Sequence, residues 1–111
     1  MKNLKDYIVN ENNFFKNLGI GQTRIENWLK EYNIKNYTIN DDLTIDVKGC
    51  VDLKGYPEEE LPEYIQFRTI SDYFKIRNCP KLKSLKGCPQ KVYNAFYCYN
   101  CENLESLKYC P

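Results

Sequence analysis

Residues 74–89 read FKIRNCPKLKSLKGCP, and residues 96–111 read FYCYNCENLESLKYCP. Shifted by 22 positions, Phe74 meets Phe96, Asn78 meets Asn100 and Cys79 meets Cys101. Leu82, Leu85, Cys88 and Pro89 then meet Leu104, Leu107, Cys110 and Pro111. A period in the twenties with apolar residues in register marks a stacked repeat, each unit of which cannot bury its apolar face without a neighbour.

The repeat extends upstream. Val51 and Leu53 match Phe74 and Ile76 at a shift of 23, Leu61 matches Leu85 at 24, and Ile70 matches Val92 at 22. Each coil is expected to hold one short parallel strand, at 51–53, 74–76 and 96–98, with the first coil opening at Val51. Gly55-Tyr56-Pro57 and Glu58–Glu60 fill a convex-side turn, where length varies freely. Ile65 and Phe67 are further core candidates. Asp72 and Asn94 stand where a tight turn is wanted, and both residue types tolerate left-handed backbone. The third coil ends directly after its leucine, leaving an open apolar edge where another chain can dock.

Before the repeats, Leu4, Tyr7, Ile8, Phe14, Phe15 and Leu18 follow a helical spacing that Gly19 should stop. Thr23 with Glu26 reads as a capping box, and Ile25, Trp28, Leu29 and Tyr32 line one face of a second helix. Asn33 suits its left-handed terminus. Residues 1–33 are thus expected to be a helical cap over the first open end, and 34–111 the repeat unit, together one compact body. From Ile34 the period becomes two. Tyr37 and Ile39, a turn at Asn40-Asp41-Asp42, then Leu43, Ile45 and Val47 predict a β-hairpin. The expected class is α+β.

The chain has 111 residues, 42% of them hydrophobic and 14% aromatic, enough for a core and too many for disorder. No run approaches the roughly 20 apolar residues of a membrane span, and MKNLKDYIVN does not read as a signal peptide. A cytoplasmic protein, with its six cysteines reduced, is the expectation. The net charge of +1 is unevenly spread: +2 over 1–40, −6 over 41–63 and +5 over 64–111. Such polarity can steer a charged partner.

The stretches INDDLTIDVKGCVDL and LPEYIQF, with the units NCPKLKSLKGCP and NCENLESLKYCP, resemble a family of irregular leucine-rich-repeat-like proteins of tailed phages and prophage-bearing bacterial genomes. The resemblance covers residues 34–111. It implies a short leucine-rich-repeat-like solenoid of about three coils and carries over no catalytic residue. Ile76 departs from the small Cys common at that position, and Asp72 and Asn94 depart from the family's frequent Gly. A phage-type origin implies a binding protein directed at a host protein or defence complex, such as a CRISPR effector, acting in the host cytoplasm.

Catalytic and metal chemistry find little footing. The chain has no His, and Cys98-Tyr99-Asn100-Cys101 is a single CxxC where zinc commonly needs two converging pairs. Cys79 with Cys101, and Cys88 with Cys110, are expected to stack inside as small apolar residues. No catalytic residue, metal ligand or cofactor is assigned, and an enzyme is not expected. Strand alternation instead sends Lys75, Arg77, Tyr97 and Tyr99 outward, with Tyr73 and Asp52 beside them. Tyr with Arg and Lys is the composition of interface hot spots. The contact candidates are therefore Tyr73, Lys75, Arg77, Tyr97 and Tyr99, with Glu58, Glu59 and Glu60 as a second patch for a basic partner. The lysines and tyrosines could also serve nucleic acid, but the acidic middle opposes a long backbone track. The competing class is an assembly subunit, a homodimer through the C-terminal edge rather than a monomer.

Overall fold

The computed structural model describes Gly19 and residues 21–111, and the helix expected over 4–18 lies outside them. One helix is described, α1 (residues 21–31), followed by β1 (Tyr37–Ile39), β2 (Ile45–Val47), β3 (Val51–Lys54), β4 (Phe67–Ile70), β5 (Tyr73–Arg77), β6 (Lys91–Val92) and β7 (Ala95–Tyr99). The strands form a mixed sheet in the order β1-β2-β4-β6 and a parallel sheet in the order β3-β5-β7. The fold is α+β.

The parallel sheet follows the sequence offsets. Val51 pairs Phe74 and Leu53 pairs Ile76 at 23, while Phe74 pairs Phe96 and Ile76 pairs Cys98 at 22. Each layer, however, contributes two strands and not the single one expected. β2 lies parallel to β4, and β4 parallel to β6, with Ile70 opposite Val92. The first layer therefore opens at Ile45, not Val51: β2 closes the hairpin on one side and starts the stack on the other. The extra length of the first layer sits where the backbone donation from Lys83 to Glu59 spans 24 residues, against 22 from Glu105 to Lys83.

Turn chemistry differs from the expectation in an orderly way. Asp72 and Asn94 are not left-handed. They ladder instead, the Asp72 N–H donating to Gly49, the Asn94 N–H to Asp72, and Asn94 Nδ2 to Asp72 Oδ1 at 2.7 Å. The left-handed residues stand one past each strand: Gly55 at φ 69°, Asn78 at 54° and Asn100 at 54°. Only glycine or a short polar residue enters that region at low cost. Asn100 Nδ2 also donates to Asn78 Oδ1 at 2.9 Å, tying the layers together.

In the hairpin, Leu43 belongs to the turn and not to a strand. The Leu43 N–H donates to Asn40, the Asn40 N–H to Thr44, and Leu43 takes φ 66°. This is a type I turn with a left-handed third residue, normally glycine; the leucine side chain reaches α1 at Gly21. Asp46 of β2 gathers the neighbouring polar groups, accepting from Arg68 Nε at 2.9 Å, from Arg68 Nη2, from Thr69 Oγ1 at 2.6 Å and from Asn40 Nδ2 at 3.0 Å. Those donors hold its carboxyl well below the usual range, the Arg68 bond contributing most.

α1 covers the first layer. Ile25, Trp28 and Leu29 are buried. The Trp28 ring lies 6.2 Å from both Tyr56 and Phe67, edge-on to each. Each such pair adds about 0.5–1.5 kcal/mol beyond area burial. The helix ends as expected, with Asn33 left-handed at φ 56°, the Asn33 N–H on Lys30 and the Ile34 N–H on Leu29. Its start differs. Gly19, expected to stop an earlier helix, is itself helical. Thr23 is interior and not a cap, its Oγ1 donating back to the Gly19 carbonyl at 3.0 Å.

The core continues through Ile45, Leu53, Ile65, Phe67, Phe74, Ile76, Leu82 and Leu85, all buried. Phe74 stacks on Phe96 with ring centroids 5.8 Å apart. Burial then fades toward the last layer. Cys79 and Cys88 are buried, but Cys101 is half-exposed and Cys110 exposed. The expectation that both cysteine pairs stack inside holds for their first members alone.

Candidate partner-binding face

β5 is buried at Phe74 and Ile76, while Tyr73, Lys75 and Arg77 are partly exposed. On β7, Tyr97 and Tyr99 are 46% and 42% exposed. Strand alternation therefore brings five of the sequence candidates to one outer face of the parallel sheet. Register sets them in rows, Asp52–Lys75–Tyr97 and Lys54–Arg77–Tyr99, with Tyr73 opposite Ala95.

The face has internal order. Lys75 Nζ lies 5.2 Å from the Tyr73 ring centroid and 5.4 Å from that of Tyr97. The two rings meet edge to face at 6.3 Å. An ammonium between two aromatic rings is held electrostatically without being neutralised. Arg77 reaches diagonally to Asp52, donating from Nε at 3.1 Å and Nη2 at 2.9 Å. That bidentate pair, with Tyr99 alongside, raises the guanidinium pKa further. At the near end of the face, the neighbouring Cys50 pushes the pKa of the Tyr73 phenol up. The Asp72–Asn94 and Asn78–Asn100 ladders flank the two ends of β5 and β7.

Glu58, Glu59 and Glu60 are exposed but do not join this face. They border a shallow depression with Tyr56 and Glu63, which no residue of β5 or β7 lines. Glu59 is paired, its Oε1 lying 3.4 Å from Lys83 Nζ. Tyr56 beneath them is buried, and its hydroxyl donates to the Glu60 carbonyl at 2.9 Å.

Two features of the face went unread in the sequence: the locking of Arg77 onto Asp52, and Cys50 as a neighbour of Tyr73. The shift of 23 that pairs Val51 with Phe74 also sets Cys50 against Tyr73, so the signal was present.

Cys79 and Cys88 are buried as packing. The Cys79 thiol donates to the Arg77 carbonyl at 3.1 Å, and Cys101 repeats this to Tyr99 at 3.4 Å. Burial pushes the Cys88 thiol up to about 12, and burial with Cys101 nearby does the same for Cys98. Neither is a thiolate near neutral pH. Among the described residues, no group of three or more Cys, Asp or Glu side chains is placed to hold a metal ion, and no helix is long and apolar enough to cross a membrane. Comparison with family models, with curated proteins and with solved structures gives no match to this chain.

Proposed function

We propose that this chain is a short leucine-rich-repeat-like solenoid that binds another protein through the outer face of β3-β5-β7 and catalyses no reaction. The observation that carries this reading is the pair Tyr97 and Tyr99, side by side and nearly half exposed next to Lys75 and Arg77. Large aromatic surface left in water beside pre-oriented cations is what a partner desolvates with the greatest gain. The cost of ordering is low, because Lys75 is already held by two rings and Arg77 by a carboxylate. The partner class comes from the resemblance to phage-type proteins: a host protein or defence complex in the host cytoplasm, a CRISPR effector among them. Nucleic acid fits less well, since Arg77 is already matched to Asp52 and cannot also neutralise a phosphate at full strength.

The test is capture from a lysate of the host cell with tagged protein and two variants. Wild type and a charge-reversed Glu58/Glu59/Glu60 variant retain the same partner. Arg77→Glu with Tyr99→Ala loses it while keeping the wild-type circular dichroism spectrum. Equal capture by the folded double variant contradicts the assignment of the face.

A further inference from the structure

The outward positions of the parallel sheet carry Lys54, Lys75 and Arg77 against one acid, Asp52. The register sets Asp52 directly opposite Lys75. Its carboxylate nevertheless goes to Arg77, one oxygen accepting from Nε at 3.1 Å and the other from Nη2 at 2.9 Å. Asp72, just before β5, accepts from Asn94 Nδ2 at 2.7 Å. Both nearby acids are thus committed elsewhere. Lys75 turns to rings instead, its Nζ 5.2 Å from the Tyr73 centroid and 5.4 Å from that of Tyr97. Among the described residues it belongs to no ion pair.

Aromatic rings attract an ammonium, but they offer no lone pair to its N–H donors. Lys75 is also partly buried and stands on the middle strand, with β3 on one side and β7 on the other. Its setting is therefore built by the sheet itself and does not depend on what adjoins either edge.

We propose that the protein bound at this face presents an Asp or Glu side chain whose carboxylate seats on Lys75 between Tyr73 and Tyr97, a step that rests on this face being the one that binds protein. Charge complementarity carries it: the face holds more cation than acid, and its one acid is already matched to Arg77. Arg77 has a second effect here, since it keeps Asp52 from neutralising the lysine opposite. Size agrees with charge. A single cation framed by two rings suits one carboxylate, whose short apolar stem packs against the phenols. A nucleic-acid backbone needs a row of free cations, and the locked arginine interrupts that row. The rings also keep water from one side of Lys75, and a lower local dielectric strengthens the pair that forms there.

The test is selection from a random peptide library on the immobilised protein, with Lys75→Gln and Lys75→Arg variants alongside, each checked by circular dichroism. Peptides that bind the wild type, and that Arg77→Glu with Tyr99→Ala loses, are expected to carry Asp or Glu. For the tightest of them, Lys75→Gln in the protein and the amide in place of the peptide's acid are each expected to weaken binding at least about tenfold. The two changes together should cost little more than either alone, because they remove the same contact. Lys75→Arg is expected to keep most of the affinity. Face-dependent peptides without an acid, or an acid whose effect is independent of Lys75, overturn the acidic partner and leave the binding face standing. A library with no face-dependent peptide, or a short thymidine oligonucleotide that binds the face more tightly than any selected peptide, overturns both.

Discussion

Arg77 and Asp52 are joined across β5 and β3 by two hydrogen bonds, Nε at 3.1 Å and Nη2 at 2.9 Å. The pair sits one strand away from the exposed tyrosines and fixes where the one arginine of the face points. Its charges are each about a third exposed, so its role is orientation more than stability. Asp52→Ala is expected to lower the urea midpoint slightly at low salt and less at high salt, because screening weakens a surface pair. A large, salt-independent loss measured in the same titrations contradicts a surface-pair role.

The left-handed asparagines give a sharper stability test. Asn78 at φ 54° must hold a conformation that costs an ordinary L-residue roughly 1–2 kcal/mol, and its side chain accepts from Asn100 at 2.9 Å. Asn78→Ala is expected to cost about 2 kcal/mol in equilibrium unfolding, adding one lost hydrogen bond to the backbone penalty. Asn78→Gly should recover the backbone part, leaving a cost of about 1 kcal/mol. Equal losses for Ala and Gly contradict the left-handed assignment.

Asp46 links acid stability to the hairpin. Its carboxyl is held below its unfolded value by Arg68, Thr69 and Asn40. A depressed carboxyl contributes stability in full above the unfolded value of about 4, and the contribution fades as pH falls through the folded value. Asp46→Asn should therefore melt lower than wild type at pH 7, and the gap should narrow steadily below about pH 4. Melting curves whose separation is constant from neutral to acid pH count against the network.

The repeat register could be read in the sequence because the same apolar types recur in order, Phe74 with Phe96 and Leu82 with Leu104, and the parallel alignment at 22 sets Phe74 against Phe96. The outer face followed from strand alternation. Of the second sheet only the β1-β2 hairpin could be read, since β6 has two residues and β4 shows the pattern buried, exposed, half-buried, buried, too short or too irregular for a period of two. Thr23 mimics a cap because a threonine hydroxyl serves an interior carbonyl as readily as a terminal N–H. Leu43 defeats sequence reading for another reason: it holds a left-handed backbone that leucine does not favour, with its side chain seated against α1 at Gly21.

Thiol reactivity reports the gradient of burial along the stack. Cys50 and Cys110 are exposed, Cys98 and Cys101 half-buried, Cys79 and Cys88 buried. With a disulfide reagent at pH 8, two thiols should react rapidly, and Cys79 and Cys88 only on unfolding. Burial that holds Cys88 at about 12 reinforces this. Rapid labelling of Cys88 in the native protein, read by mass spectrometry, contradicts the layer order.

The most direct test of the binding account is hydroxyl-radical footprinting of the protein alone and with its captured partner. Oxidation of Tyr97 and Tyr99, exposed side by side on β7, is predicted to fall when the partner is bound, while Tyr93 on the other sheet's flank keeps its reactivity. Protection confined to the Glu58–Glu60 loop or to α1, with Tyr97 and Tyr99 unchanged, contradicts it.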